Sequence, residues 1–188
     1  DDELNTYHKD NSYLAGHVSH SVSCVEHSTG ALGHGVSVAL GAAIGLKSKN
    51  YETKPLSMVV CGDGEIQEGS VWEAALIIGA LKLKNIIVIV DNNDLQSSTR
   101  ASNTHPNLYP IDKKFRDFGW DSAKCDGHSS KNIYSKIKNR SNYFPDWWKN
   151  TPRTFGNKNT IKSCRGFIDY FKDGIVIPSW FESDIHVY

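Results

Sequence analysis

The sequence predicts an α/β fold in which a parallel β-sheet is sandwiched by helices. Two continuous apolar runs, residues 56–61 and 85–90, have the length and β-branched composition of buried strands. Between them, residues 65–83 have helical length and contain an apolar stretch, residues 71–78, which predicts a helix buried on most sides. Strands that are apolar on both faces and are joined through a helix indicate a right-handed βαβ unit. We therefore expect a parallel sheet that helices cover on both sides.

Length, charge and composition exclude several functional classes. The chain has 188 residues, which suggests one domain or one domain with an appendage. Lys+Arg and Asp+Glu are both 21, whereas a dedicated nucleic-acid binder shows a basic field. No apolar run reaches the roughly 18–20 residues of a membrane helix, and the acidic start lacks the apolar part of a signal peptide. Widely spaced cysteines without a CxxC pair predict free thiols and a cytoplasmic location.

The elements before the first strand are an irregular segment and a helix. Residues 1–29 are polar and carry scattered histidines. Residues 28–35 read STGALGHG, and small residues continue as far as Gly45. This composition predicts a glycine turn followed, from Val36 onward, by a helix that packs closely against another backbone.

The βαβ unit has clear boundaries in the sequence. Pro55 and the turn Gly62-Asp63-Gly64 bound the first strand, and the second strand ends in Asp91-Asn92-Asn93. A short helix is then predicted near residues 111–118, and a weaker third strand near residues 120–125.

The character of the chain changes after about residue 138. A basic stretch is followed by an aromatic, proline-containing one, and residues 174–178 form one further candidate strand. We therefore assign residues 1–138 to one domain and leave residues 139–188 as an unassigned tail.

Polar residues follow both strands of the βαβ unit. In an open parallel sheet, ligands bind beyond the carboxyl ends of the strands, which is where Asp63 and Asn93 fall. Carboxylate, amide and carbonyl oxygens are the donors that Mg²⁺ or Ca²⁺ prefers, and Mg²⁺ completes its shell with phosphate and water. Gly62 and Gly64 allow close approach of a phosphate, and a helix beginning near Glu65 would direct its dipole at it. The pattern favours a metal–diphosphate site.

The same residues also have an ordinary structural interpretation. Gly-Asp-Gly is a common turn, and Asn-Asn commonly follows a strand. The GK[ST] signature of a P-loop is absent, and residues 30–35 do not fit the GxGxxG dinucleotide motif.

Longer stretches of the chain resemble the transketolase family. Residues 62–75 read GDGEIQEGSVWEAA and are followed by Asp91-Asn92-Asn93, which is similar to the family's diphosphate signature. The glycine turn at 28–35 and the later Phe118-Gly119-Trp120 and Asp126-Gly127-His128 also match family landmarks. The resemblance covers about residues 1–138 and implies the thiamine diphosphate-binding fold, truncated at its N-terminus because the family's first elements would precede Asp1.

The resemblance implies a cofactor and a metal ion with definite ligands. Asp63, Asn93 and the main-chain carbonyl of Leu95 would bind Mg²⁺ or Ca²⁺, which in turn would hold the diphosphate of thiamine diphosphate. Gly64, with Gly62 beside it, would contact the diphosphate. The backbone of Gly30 and Leu32 would line the aminopyrimidine.

The resemblance also implies catalytic roles. His17 corresponds to the family histidine that contacts the sugar donor, and Glu68 and Glu73 match an acidic network that connects the two cofactor sites of a dimer. Two buried carboxylates can share a proton, which suits relay chemistry. The bland alternative for Glu65 and Glu68 is structural, because acids are favourable in the first turns of a helix; for Glu68 the match favours the functional role.

The implied activity is transfer of a two-carbon ketol unit between sugar phosphates. It would need a pyrimidine domain, supplied by a partner chain or by another copy in an oligomer, so one hypothesis is a piece of a split enzyme. A second is a truncated or fused remnant without turnover. A third is the decarboxylating component of a 2-oxo acid dehydrogenase, which shares the GDG and Asn-Asn motifs but fits residues 65–75 less well. In the first two cases we expect exposed apolar surface and self-association.

Overall fold

The computed structural model describes residues 3–23, 25–49, 55–140 and 184–187. The helices and strands are α1 (His34–Ser48), β1 (Ser57–Gly62), α2 (Gly69–Ala80), β2 (Ile86–Asn92), α3 (Ala101–Thr104), α4 (Ile111–Asp117), β3 (Ala123–Asp126), α5 (Ser130–Arg140) and β4 (Asp184–Val187). Short 3₁₀ helices are formed by Leu4–Thr6, Glu65–Gln67 and Pro106–Leu108.

The described strands form one sheet in the order β1-β2-β4-β3. β1 and β2 are parallel neighbours, with pairs running from Ser57 and Ile86 to Gly62 and Asp91. The predicted βαβ unit is therefore confirmed. β4 is antiparallel to both β2 and β3, so the sheet as a whole is mixed. This arrangement was not anticipated, because pairing between distant segments leaves no local signal in the sequence.

Helices cover both faces of the sheet, as predicted. Successive residues of a strand point to opposite faces. Val88 and Val90 of β2 join a core with residues of α1, α2 and α4, whereas Ile87 and Ile89 join a second core with Ile133 and its neighbours on α5. β2 is buried on both sides, which explains its uninterrupted β-branched sequence.

The helix of the βαβ unit begins later than the sequence suggested. Glu65–Gln67 form a 3₁₀ turn, Glu68 has an extended backbone with φ −68° and ψ 132°, and α2 starts at Gly69. The expectation of a helix N-terminus near Glu65 was wrong. The extended residue at Glu68 prevents the turn and the helix from joining into one element.

The close backbone contact expected for α1 occurs instead in α2. A Cβ placed on Gly41 or Gly45 of α1 would meet no atom of the described residues within 4 Å. A Cβ placed on Gly79 of α2 would lie 2.0 Å from the carbonyl oxygen of Phe118. Only glycine fits at Gly79, so the segment after α4 lies directly on the α2 backbone.

Several apolar side chains of the described domain remain exposed. Leu76 and Ile77 of α2 are 56% and 45% exposed, although Val71 and Ala75 of the same helix are buried. Val60 of β1 is also exposed. The prediction that α2 is buried on most sides therefore holds only for its inner face. The predicted exposure of apolar side chains is confirmed among the described residues.

The remaining predicted elements agree with the structure where it describes them. The helix expected near residues 111–118 is α4, and the weak third strand is β3. The candidate strand at residues 174–178 and nearly all of the unassigned tail lie outside the described residues. No described helix has the length and apolar character needed to cross a bilayer.

Candidate functional site

The two predicted polar segments meet at one edge of the sheet. Gly62 and Asp91 are the last paired residues of β1 and β2, and the backbone N–H of Asp63 donates to the carbonyl of Asp91 at 3.0 Å. Parallel pairing thus brings together residues 62–64 and 91–93, as the sequence predicted.

The Asp63 carboxylate lies at the centre of this edge. Its side chain is 1% exposed. Oδ1 accepts a hydrogen bond from the Gly64 N–H at 3.0 Å, while Oδ2 accepts from the Asp94 N–H and the Tyr109 hydroxyl, both at 2.9 Å. Burial raises the pKa of Asp63, and these three hydrogen bonds act in the opposite direction. They also fix the orientation of the carboxylate.

Asn93 and Leu95 form a tight turn next to Asp63. The Leu95 N–H donates to Asn93 Oδ1 at 2.8 Å, and Asn93 Nδ2 donates to Asp91 Oδ2 at 3.4 Å. These bonds orient the amide and leave its oxygen with a second lone pair. Asn93 therefore has capacity to bind a cation, and Leu95 follows it in the turn.

The local electrostatics fit a cation. Burial and, secondly, the charge of Asp63 raise the pKa of Asp91. Among the described residues, no hydrogen-bond donor contacts the buried Oδ1 of Asp91. The nearby cation Arg100 pairs instead with Asp94 at 3.0 Å. A divalent ion would offset the repulsion between the two carboxylates.

The donor set fits an ion that takes only part of its shell from protein. Within the described ranges, no three His, Cys, Asp or Glu side chains cluster as metal ligands. One carboxylate, one amide oxygen and one carbonyl suit Mg²⁺ completed by phosphate and water.

Gly64, but not Gly62, is closely surrounded by the described residues. A Cβ on Gly64 would lie 3.0 Å from Cβ of Gln96. No described atom lies within 4 Å of the equivalent position at Gly62. The close approach of Gln96 explains why glycine stands at position 64; contact of Gly62 and Gly64 with a phosphate stays a prediction.

The glycine turn is attached to the segment that follows Asp63. Gly33 has φ +77°, and its N–H donates to Glu65 Oε1 at 3.0 Å. Ser70 Oγ donates to the Gly33 carbonyl at 3.0 Å, and a Cβ on Gly33 would lie 2.6 Å from Cβ of Glu68. These contacts join the two predicted halves of the cofactor site.

His17 lies beside the glycine turn. Its ring carbon Cδ2 is 3.4 Å from the position of a Cβ on Gly30, which has φ +132°. Thr29 fastens the segment, since its N–H and its hydroxyl both donate to the Val18 carbonyl, at 2.8 and 2.7 Å. Leu32, two residues after Gly30, has an exposed side chain. The structure thus places His17, Gly30 and Leu32 in one region.

Glu68 and Glu73 are not brought together. Glu68 precedes α2, and Glu73 lies on the exposed side of that helix. No hydrogen bond joins them within the described part of the chain. The described residues therefore do not form a buried carboxylate pair, and the role of Glu68 and Glu73 in a network between subunits stays a prediction.

Sequence reasoning missed three residues of the site. They are Tyr109, which donates to Asp63; Gln96, which lies over Gly64; and Glu65, which accepts from Gly33. Tyr109 is separated from Asp63 by 46 residues, and no local motif marks it. Glu65 directly follows the GDG turn, but an acidic residue at this position was already explained by its favourable interaction with the helix dipole.

Comparison with protein families identifies this arrangement. Residues 2–144 match the family described as "Transketolase, thiamine diphosphate binding domain". The match includes the Asp63 edge, the glycine turn and the segment carrying Tyr109.

Curated relatives are similar to the same part of the chain. One of the subunits of apulose-4-phosphate transketolase from Actinobacillus succinogenes is 42% identical over 141 residues, covering 73% of this chain and 49% of the relative. Transketolase of Mus musculus is 38% identical over 134 residues, covering 70% of this chain and 21% of that protein. The chain therefore spans about half the length, or less, of these relatives.

A solved structure has the same fold. Transketolase from Leishmania mexicana superposes with a TM-score of 0.56 at 30% sequence identity, covering 64% of this chain and 19% of that one. The expected α/β fold is thereby confirmed.

Proposed function

The chain belongs to the transketolase family, in its thiamine diphosphate-binding domain, and on this premise we propose that it holds the diphosphate half of a cofactor site. The complete site would need a pyrimidine domain from a partner chain or from another copy in an oligomer. The reaction would be transfer of a two-carbon ketol unit between sugar phosphates. The matched family favours this reaction over that of a 2-oxo acid dehydrogenase.

The observation that carries the proposal is the fixed, buried Asp63 carboxylate where β1 and β2 end. Asp63, Asn93 and the carbonyl of Leu95 would hold Mg²⁺ or Ca²⁺, and Gly62 and Gly64 would face the diphosphate. The raised pKa of Asp91 and its buried Oδ1, which no described donor contacts, support a cation at this edge. Thiamine diphosphate, when bound, supplies an electron sink for carbanion chemistry.

The chain's other residues would bind and orient. Glu65 holds the Gly33 turn against the diphosphate segment, so the backbone of Gly30 and Leu32 would line the aminopyrimidine. His17, packed on Gly30, would contact the sugar donor. Hydrogen-bonded loops of this kind supply positioning rather than bond breaking.

A partner chain is part of the proposal. The Actinobacillus relative is itself named as one subunit of its enzyme, and this chain matches about half of it. One side of α2 exposes Glu73, Leu76 and Ile77, and Glu68 directly precedes this helix. A second chain would cover these residues and complete the acidic network. Cys61 is a buried thiol outside any disulfide of the described residues, which favours a reducing compartment such as the cytoplasm.

Calorimetric titration of thiamine diphosphate with Mg²⁺ into the chain tests the proposal. We expect saturable, metal-dependent heat that is lost in Asp63→Ala, because that change removes the carboxylate ligand. Asp117→Ala, at the exposed end of α4, is the matched control and should bind as the unchanged chain does.

The opposite result has a definite meaning. If the unchanged chain shows folded circular dichroism but no heat with cofactor and metal, the motif is retained without its site. The chain would then be a non-catalytic remnant, and the proposed function would be wrong.

A further inference from the structure

A sixteen-residue loop closes on one oxygen of Asp63. We call residues 94–109 the Asp63 loop. At its start the Asp94 N–H donates to Asp63 Oδ2 at 2.9 Å, and at its end the Tyr109 hydroxyl donates to the same oxygen at 2.9 Å. Both ends of the loop are therefore held by a single atom at the edge of the sheet.

The interior of the Asp63 loop is tied at several further points. Arg100 pairs with Asp94 Oδ2, and the Ser102 N–H donates to Asp94 Oδ1 at 2.8 Å. Gln67, which lies just after the GDG turn, donates to the Ala101 carbonyl at 3.2 Å and to Thr104 Oγ1 at 2.9 Å. The loop is thus ordered against the same segment that carries Asp63.

The two oxygens of Asp63 are unequally used. Oδ2 accepts two hydrogen bonds, whereas Oδ1 accepts one, from Gly64. The terminal torsion of an aspartate is broad, so a carboxylate needs donors to hold it in one orientation. Saturation of Oδ2 leaves Oδ1 as the oxygen with unused capacity for a cation.

Tyr109 is the side-chain donor in this arrangement. Its ring packs against the core that includes Ile111 and Phe115, and its hydroxyl reaches the buried carboxylate. A hydrogen bond from a hydroxyl to an ionised acceptor is short and strong. Because the Tyr109 ring is packed against the core, the position of its hydroxyl is fixed as well.

We propose that Tyr109 is a positioning residue for the metal site: its hydroxyl fixes Asp63 so that Oδ1 is presented to the cation, and it couples the order of the Asp63 loop to metal binding. This inference rests on the proposed function, because it takes Asp63 to be a metal ligand. It adds a residue outside the GDG and Asn-Asn motifs to the site.

Substitution of Tyr109 by Phe isolates the hydroxyl. We expect the full chain carrying Tyr109→Phe to bind Mn²⁺, in the presence of thiamine diphosphate, about 10- to 100-fold more weakly, as is typical when a group orienting a ligand is lost. Free Mn²⁺ is measured by electron paramagnetic resonance. Amide hydrogen exchange of residues 94–109 should also become faster, even without metal, because one end of the loop is released.

Matched variants separate positioning from general destabilisation. Tyr134→Phe removes a hydroxyl from an exposed residue of α5 and should leave Mn²⁺ affinity and loop exchange unchanged. Asp63→Asn keeps a side-chain oxygen as acceptor, so it should lose Mn²⁺ affinity with a smaller increase in loop exchange than Tyr109→Phe produces. A purely structural role for Tyr109 would lower Tm but leave Mn²⁺ affinity of the folded chain unchanged.

The outcomes distinguish this inference from the proposed function. If the unchanged chain binds Mn²⁺ and folded Tyr109→Phe binds it equally well, the inference is overturned while the proposed function stands. If the unchanged folded chain binds no Mn²⁺ with cofactor present, both are overturned.

Discussion

At the scale of single residues, the contacts of Asp63 and Gly33 explain how the site is assembled. Asp63 is buried as a carboxylate, which costs free energy unless hydrogen bonds compensate. Two backbone N–H groups and one tyrosine hydroxyl supply them. Gly33 adopts a left-handed backbone against Glu68 and donates to Glu65. Both residues therefore connect segments that are far apart in the chain.

Gly33→Ala tests the attachment of the glycine turn. The new methyl group would occupy a positive-φ position and meet Cβ of Glu68 at 2.6 Å. A left-handed backbone costs about 1–2 kcal/mol and overpacking about 1–3 kcal/mol, so we expect the free energy of unfolding to fall by about 2–5 kcal/mol in urea denaturation. Gly62→Ala, where no described atom lies within 4 Å, should change it much less. Equal losses for the two variants would contradict the packing described for Gly33.

At the scale of elements, α2 joins the core, the site and the segment after α4. Its inner face packs in the main core through residues such as Val71 and Ala75. Trp120 Nε1 donates to the Ala75 carbonyl at 2.9 Å, and Gly79 lies under the carbonyl of Phe118. The position of α2 therefore depends on the Phe118-Gly119-Trp120 segment as well as on the sheet.

Gly79→Ala and Gly41→Ala should have opposite effects on stability. At Gly79 the added Cβ would approach a backbone oxygen to 2.0 Å, so α2 must shift, and we expect a loss of about 1–3 kcal/mol in the free energy of unfolding. At Gly41 on α1 the described residues leave open space, so alanine should stabilise the helix by about 0.5–1 kcal/mol. Thermal denaturation of both variants gives the comparison. Stabilisation by Gly79→Ala would show that α2 does not contact Phe118 closely.

At the scale of the whole molecule, the described domain has an exposed apolar side. Leu76 and Ile77 project from α2, and Leu81 follows at its end. Exposed apolar side chains that lie near one another promote association. It lies on the helix that also carries Glu73, so the surface proposed for a partner chain coincides with the surface prone to self-association.

We expect the isolated chain to self-associate at micromolar concentration, as light scattering would measure. Leu76→Lys should shift the distribution towards monomer, because it places a charge in the exposed side of α2. Leu4→Lys changes a leucine of similar exposure on a separate turn and should have a smaller effect. A monodisperse monomer of the unchanged chain would contradict the expectation.

The sequence alone determined the βαβ unit, the residues at the strand ends and the family resemblance. Buried strands need continuous apolar residues, and turns need glycine and asparagine, so these features are encoded by neighbouring positions. The prediction that Asp63 and Asn93 lie at the same edge of the sheet followed directly from parallel pairing. The start of α2 was misplaced because the extended backbone of Glu68 has no distinct local signature.

Only the tertiary structure decided which distant groups complete the site. Tyr109 reaches Asp63, Glu65 receives the Gly33 N–H, and β4 enters the sheet in the antiparallel direction. Each of these contacts joins segments separated by tens of residues. Composition and periodicity report which face of an element is buried, but not which side chain meets which carboxylate, because that depends on how the packed elements are placed in space.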